Sequence, residues 1–459
     1  MTEGQLRNDV LRGPVPSTFL YYAVPSLLGL LAISTATIVD GVFISRFVGS
    51  EALAAVNLLL PYFTLLFGLS LMLAMGGSVQ AGRSLGEGNA AAASATFSKS
   101  VVAVAALTAC AALGGNLFDT ALYRLLGAPE SLFPLMREYF RVVSVAMVVQ
   151  LATLVVYYFV RLDGRPVLAT SAVVAGALTN MALNALLVGH LSWGIAGAAY
   201  ATAFAQALQL SVLVTHFASG RSKLRFSVKQ RRWASLWGCA YSGASELVSE
   251  LSVGAVVLVI NWLLVKRVGV HGVAAFTIVN YVTFASLMVY YGAADALHLL
   301  VSQNLGAGKQ ERARAFFRCA LVAVSSFGAV LAGALLTLGD RWLGLFADGE
   351  SPDVLPQAAL FLHVMWPLLL LNGSNVVFTV YLAASRRPGS ASLLASLRSL
   401  VLPALLLLAF AFWAPSLPFL IALPLAEAAT FLLGAVLLLR REPEREPAPL
   451  AAREGAVAP

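Results

Sequence analysis

About twelve apolar blocks of roughly 20–30 residues follow one another along the chain, separated by short polar joints. A block of that length crosses ~30 Å of hydrocarbon as a helix rising 1.5 Å per residue. The composition agrees, because a chain that is 59% hydrophobic and 11% charged cannot cover a water-exposed surface. Soluble domains carry about 25% charged residues. A β-barrel is excluded, since its strands would alternate apolar and polar residues over ~10-residue segments. The expectation is an all-α membrane protein with little room for a soluble domain.

The spans read as 17–45, 52–82, 90–117, 131–161, 165–190, 194–219, 233–265, 271–304, 310–338, 355–384, 389–413 and 416–439. Joints such as Asp163-Gly164-Arg165-Pro166 and Arg386-Arg387-Pro388-Gly389 carry helix-breaking residues. An even number of spans puts both termini on one side. All but seven of the 30 basic residues (Arg46, Arg124, Arg137, Arg141, Lys266, Arg267 and Arg341) then fall on that side, which makes it cytoplasmic. The expected layout is a cytoplasmic segment 1–16, a bundle 17–219, a basic cytoplasmic linker 220–232, a second bundle 233–439 and a disordered tail 440–459. The net charge of +8 is read as a positive-inside anchor at the lipid surface, with no nucleic-acid partner. Cys110, Cys239 and Cys319 are scattered and have no metal spacing. The first apolar stretch is too long for a cleaved signal peptide.

The halves repeat at an offset of 220 residues. Tyr21 meets Tyr241, Gly49 meets Gly269, Leu85-Gly86-Glu87-Gly88 meets Leu305-Gly306-Ala307-Gly308, and Phe97 meets Phe317. Six spans per half insert with the same orientation, so the pseudo-two-fold axis runs along the membrane normal. In transporters built this way, substrate binds near mid-membrane between the halves.

Several segments resemble the multidrug and toxic compound extrusion (MATE) family in order and spacing. They are Pro25 with Ile38-Val39-Asp40-Gly41-Val42-Phe43-Ile44, Gly49-Ser50-Glu51-Ala52-Leu53-Ala54-Ala55, Leu126-Gly127-Ala128-Pro129-Glu130, Asn180-Met181-Ala182-Leu183-Asn184 and Ser302-Gln303-Asn304-Leu305-Gly306-Ala307-Gly308. The resemblance covers Pro14 to Leu439. It implies a V-shaped twelve-helix secondary exporter of organic cations or amphipathic compounds, driven by an H⁺ or Na⁺ gradient through alternating access. Sister families on the same fold flip lipid-linked precursors, which is the alternative reading. Two departures stand out. Asn184 occupies a position where the family often has Asp, and His298-Leu299 replaces a Gln-Pro pair that would kink span 8.

Five acids, Asp40, Glu246, Glu250, Asp295 and Glu427, fall inside spans. Charged and lipid-facing, each would cost about 2.5–3.5 kcal/mol at a helix centre. Holding an Asp protonated at pH 7 costs about 4 kcal/mol, so such a carboxyl is poised between the two forms. By the resemblance, Asp40, Asn180, Asn184 and Thr202 converge as the proton- or cation-coupling cluster, and Pro25 is the hinge. Glu250 sits about where the family places a seventh-span acid. Glu246 and Glu250 share a helical face, while Asp295 and His298, at i and i+3, form a candidate proton-sharing pair. These four make the candidate substrate or second-ion site, with Na⁺ near Glu250 left open. Glu427 shows no partner and is read as structural.

All intramembrane charges are read as acidic, which favours cationic or neutral cargo over phosphate-bearing lipid. The chain has no zinc motif, nucleophile elbow or Walker loop, so it reads as a transporter and not an enzyme. No cofactor is expected beyond the coupling ion. The setting is the cytoplasmic (inner) membrane, as a monomer in contact with lipid.

Overall fold

The computed structural model describes residues 9–218, 220, 222–229, 233–344, 354–413 and 417–439. Segment 1–8, parts of the linker 220–232 and the tail 440–459 lie outside the described residues. Among the described residues twelve helices are long and apolar enough to span: α1 (Val15–Val48), α2 (Ser50–Gly86), α3 (Ala90–Leu117), α4 (Glu130–Leu162), α5 (Pro166–His190), α6 (Gly194–Ala218), α7 (Ser235–Arg267), α8 (His271–Gly306), α9 (Gln310–Gly339), α10 (Val354–Ala384), α11 (Pro388–Trp413) and α12 (Phe419–Leu439). They form two six-helix bundles, α1–α6 and α7–α12, related by a pseudo-two-fold axis along the membrane normal and arranged as a V. Their bounds agree with the sequence reading to within about four residues.

The two bundles meet toward the face that carries the start of α1 and the α6–α7 joint, called here the terminal face. Small residues allow the approach: a Cβ on Gly76 of α2 would lie 1.9 Å from the Cys239 carbonyl oxygen of α7. Close backbone packing of this kind is how apolar helices associate inside lipid. Polar contacts reinforce it. Arg83 Nη2 donates to the Ala384 carbonyl at 2.8 Å, Gln303 Nε2 to the Leu162 carbonyl at 2.8 Å, and Lys99 Nζ to Ser235 Oγ at 2.9 Å. Residues 9–13 lie across the same face, where Arg312 Nε and Lys309 Nζ donate to the carbonyls of Val10 and Leu11 at 3.0 and 2.9 Å. The contacts reach mid-height, where Gly68 of α2 packs on Leu247 and Glu250 of α7. Beyond that point the arms of the V diverge toward the opposite face.

Helix α1 continues through Pro25, which has no N–H for the Tyr21 carbonyl. Thr170 Oγ1 of α5 donates to the Pro25 carbonyl at 2.8 Å, tying the proline turn to its neighbour. Among the described residues three π-helical turns occur, closing α1 at Ile44–Val48 and α5 at Asn184–His190 and interrupting α11 at Leu397–Val401. Single π turns inside α-helices concentrate at functional sites.

Candidate functional site

Asp40, Asn180, Asn184 and Thr202 come together inside the N-terminal bundle. Asn184 Nδ2 donates to Asp40 Oδ1 and also approaches Asn180 Oδ1 at 3.3 Å, while Asn180 Nδ2 donates to Thr202 Oγ1 at 3.3 Å. Asn184 is fully buried and begins the π turn of α5, which aims its amide at α1. Asp40 has no cationic partner among the described residues, and Asn184 Oδ1 has no hydrogen-bond partner. The carboxylate is thus stabilised by amides alone.

The second group lies where the bundles meet, and it differs from the expectation. Asp295 and His298 do not pair with each other. Asp295 Oδ2 accepts from Arg161 Nη1 at 2.9 Å, and Tyr158 donates to its other oxygen at 3.4 Å. His298 Nε2 instead stands 3.3 Å from Glu246 Oε1 on α7. The physical reason is the geometry of α8: its two residues face different neighbours, α4 and α7, and each neighbour brings an oppositely charged or polar group. Arg161 is 1% exposed, donates also to Ser26 Oγ of α1, and lies over the rings of Tyr157 and Tyr158 at 5.2 and 5.9 Å. Glu250 packs its methylenes beside Gly68 and has no ion-pair or hydrogen-bond partner among the described residues.

A third group corrects the reading of Glu427 as unpartnered. Asn372 Nδ2 donates to Glu427 Oε1 at 2.9 Å, Asn375 Nδ2 to Oε2 at 2.5 Å, and Arg398 Nε to Oε1 at 3.3 Å. Arg398 Nη2 closes the ring on Asn372 Oδ1 at 3.0 Å. The expectation that all intramembrane charges are acidic is corrected with it, because Arg161 is buried and Arg398, its side chain 9% exposed, enters the C-terminal bundle. The charge rule places both on the basic side of the membrane, since Arg161 ends its span and basic residues are assigned to joints by proximity. A signal was present for the second: Arg398 lies ten residues inside an apolar span, and Asn372 and Asn375 share a face of the span before it.

A fourth group lies at the joints of the terminal face. Asp163 accepts from Ser222 Oγ at 2.7 Å and from the Lys223 amide at 3.0 Å, with His216 Nε2 at 2.7 Å, and so holds the start of the linker against the N-terminal bundle. The pattern Asp-Gly-Arg-Pro marked a turn and gave no hint of this clasp. Among the described residues no group of three or more His, Cys, Asp or Glu converges to hold a metal ion.

Among the described residues, the architecture to be placed among known proteins is a V of twelve spanning helices with carboxylates inside each arm and at its apex. The MatE family profile matches residues 25–186 and 248–408, and the chain belongs to that family: it is a MATE membrane transporter, not an enzyme. Among curated relatives it is 26% identical over 406 residues to the FAD transporter of Shewanella oneidensis, covering 86% of this chain and 88% of that protein. It is 24% identical over 401 residues to the multidrug export protein MepA of Staphylococcus aureus, again covering 86% and 88%. Among solved structures, MATE in complex with MaL6 superposes with a TM-score of 0.86 at 21% identity, over 95% of this chain and 99% of that one. A MOP superfamily transporter from Pyrococcus furiosus gives 0.85 at 20% identity, over 95% and 97%. The V-shaped fold expected from the sequence is the fold found.

Proposed function

We propose that the protein is an antiporter that exports organic cations or amphipathic compounds, driven by protons entering at Asp40. The observation that carries this is the composition of the Asp40 cluster: one carboxylate, two asparagines and a threonine, with no second acid. A Na⁺ ion leaving water needs several oxygen ligands and nearby formal charge, whereas a proton needs one titratable oxygen. Protonation neutralises Asp40 and frees the Asn184 amide to re-pair, a local change that bends α1 about Pro25. MepA is a multidrug exporter at 24% identity over most of both chains, which supports the same cargo class.

Glu250 is the natural contact for the positive end of cargo, because Asp295 is matched by Arg161 and Glu246 faces His298. A flippase of phosphate-bearing lipid precursors would be expected to turn unmatched cations into the cavity, yet Arg161 and Arg398 are each matched by an acid. The exporter reading is therefore preferred. In the proposed setting the terminal face is cytoplasmic, both termini lie there, and bundles 17–219 and 233–439 rock about the linker 220–232 in a monomer embedded in the inner membrane.

The test uses proteoliposomes loaded with a fluorescent cation under separately imposed pH and Na⁺ gradients. Wild type should respond to the pH gradient, and Asp40→Asn should abolish that response while cargo binding survives. Wild-type export by Asp40→Asn under a pH gradient alone would overturn the assignment and place coupling in the other bundle.

A further inference from the structure

The buried asparagines of the two bundles share one peculiarity. Asn184 donates through Nδ2 to Asp40, Asn375 donates through Nδ2 to Glu427, both residues are 0% exposed, and both leave Oδ1 without a hydrogen-bond partner. A buried acceptor with no donor costs about 1–3 kcal/mol. In each case the neighbouring carboxylate, once it becomes a carboxylic acid, can donate to that oxygen when the amide turns over, in exchange for the bond that Nδ2 now makes to the backbone carbonyl of Asn180 or Glu427. The parallel extends to the backbone. Asn184 opens the π turn of α5, and Arg398, the other partner of Glu427, lies in the π turn of α11. Thr202 of the Asp40 cluster and Glu427 also occupy the same place in their spans, Gly194–Ala218 and Phe419–Leu439. Where the N-terminal bundle has a hydroxyl, the C-terminal bundle has an acid.

We propose that Glu427 is a second proton-binding site of the transport cycle, with Asn375 accepting the hydrogen bond of the bound proton and Arg398 held by Asn372 while the proton is present. The inference rests on the reading that the transporter is proton-coupled, and it adds a site to that reading. The step is a simple proton uptake: water on the open side delivers H⁺ to the Glu427 carboxylate, giving the neutral acid, and no other bond forms or breaks. Asn375 rotates its amide so that Oδ1 faces the new O–H. The cluster then changes from neutral, one carboxylate against one guanidinium, to a net charge of +1 on Arg398.

That sign is the one antiport requires, since a cationic cargo is disfavoured beside a bundle that has just become positive. The groups facing Glu427 are Asn372 and Asn375 from α10, Arg398 from α11 and, through electrostatics, Tyr290 from α8. Tyr290 is committed to the Leu369 carbonyl at 2.7 Å, and Tyr291 of α8 interacts with Arg398. Arg398 is thus the only fixed charge in the set, and its retained bond to Asn372 keeps it in place when the carboxylate is neutralised.

Two measurements on the full-length reconstituted protein test this. In the first, the steady-state cation ratio across the vesicle is plotted against the imposed pH difference. The slope gives protons per cargo, and Glu427→Gln should lower it by about one. In the second, the pH-difference infrared spectrum of the wild type should show the carbonyl stretch of a buried carboxylic acid that disappears in Glu427→Gln. Because that substitution leaves Arg398 unmatched, the charge-free pair Arg398→Gln/Glu427→Gln serves as the folded alternative and should lose the same proton and the same band. An unchanged slope together with an unchanged band means Glu427 is a permanently ionised partner of Arg398, and the proposal fails. If wild type ignores the pH gradient altogether, the proton-coupling reading fails. The infrared band then decides Glu427 by itself: its loss in the variants keeps the site, and its persistence ends it.

Discussion

Removing Arg161 should release the terminal face. Arg161 belongs to α4 and Asp295 to α8, so their 2.9 Å ion pair joins the two bundles, and the two side chains are 2% and 14% exposed. Breaking a buried pair by deleting one partner costs about 3–5 kcal/mol, because the other charge is left uncompensated. The partial exposure of Asp295 argues for the low end, about 3 kcal/mol. That penalty falls on the closed form alone, since opening this face lets water reach whichever charge remains. The ratio of closed to open protein should then fall on the order of 10²-fold. A cysteine at Ser302 reads this directly: Ser302 is fully buried, against Gly82 of the other bundle. In a background lacking Cys110, Cys239 and Cys319, Arg161→Met should speed labelling of that cysteine by a hydrophilic maleimide by up to about 10²-fold. Adding Asp295→Asn removes the orphaned charge and should return the rate most of the way to wild type, the non-additivity expected of a coupled pair. A well-folded Arg161→Met protein that labels at the wild-type rate would refute the idea that this pair holds the bundles together.

Two further outcomes follow from the charges. Glu250→Gln should weaken export of monovalent cations by at least several-fold while sparing neutral amphipathic cargo, measured as KM for paired substrates in the same vesicles; equal losses for both would assign Glu250 to folding or coupling. At the opposite face Asp119 lies between α3 and α4, outside the spans, and the guanidinium of Arg137 from the start of α4, hydrogen-bonded to it, holds its carboxyl below the usual carboxylate range. A depressed folded value contributes stability above the unfolded value of about 3.9 and loses it as pH falls through the folded one. The difference in melting temperature between wild type and Asp119→Asn should therefore be present at pH 7, begin to shrink as the pH drops below about 4, and vanish only once the pH has fallen past the depressed folded value.

The helices were legible because lipid imposes one rule on every span: enough apolar residues to cross, with the backbone satisfied internally. That rule acts locally, so bounds such as Pro166 for α5 and Pro388 for α11 follow from the residues themselves. The Asp40 cluster was legible through the family resemblance and the i, i+4 spacing of Asn180 and Asn184. Partner choice between distant helices was not. Asp295 has His298 one turn away on its own helix, yet it takes Arg161, 134 residues distant in sequence, because α4 and α8 are neighbours only in the assembled V. Periodicity reports which face a residue occupies and carries no information on what stands opposite. Arg398 was obscured differently, since a rule that assigns arginines to joints hides one that enters the bundle to meet Glu427.

These pairings change the argument about cargo without reversing it. With only acids inside the membrane, the preference for cations would follow from the absence of positive charge. The bundles contain the buried Arg161 and the nearly buried Arg398, so the preference rests on neutralisation instead. Arg161 is matched by Asp295 and Arg398 by Glu427, and each pair contributes no net charge to the space between the bundles. Asp40 and Glu250 remain as carboxylates without a cation, one in each bundle. A dianionic or phosphate-bearing cargo would have to displace an acid from one of the arginines, at the cost of leaving that acid buried and unmatched, about 3–5 kcal/mol. A cation displaces nothing at Glu250, and a proton at Asp40 finds amide partners already in place. On the proposed coupling the direction of exchange follows: a proton at Asp40 removes an unmatched negative charge, a proton at Glu427 leaves Arg398 unmatched, and either change disfavours a cation bound between the bundles.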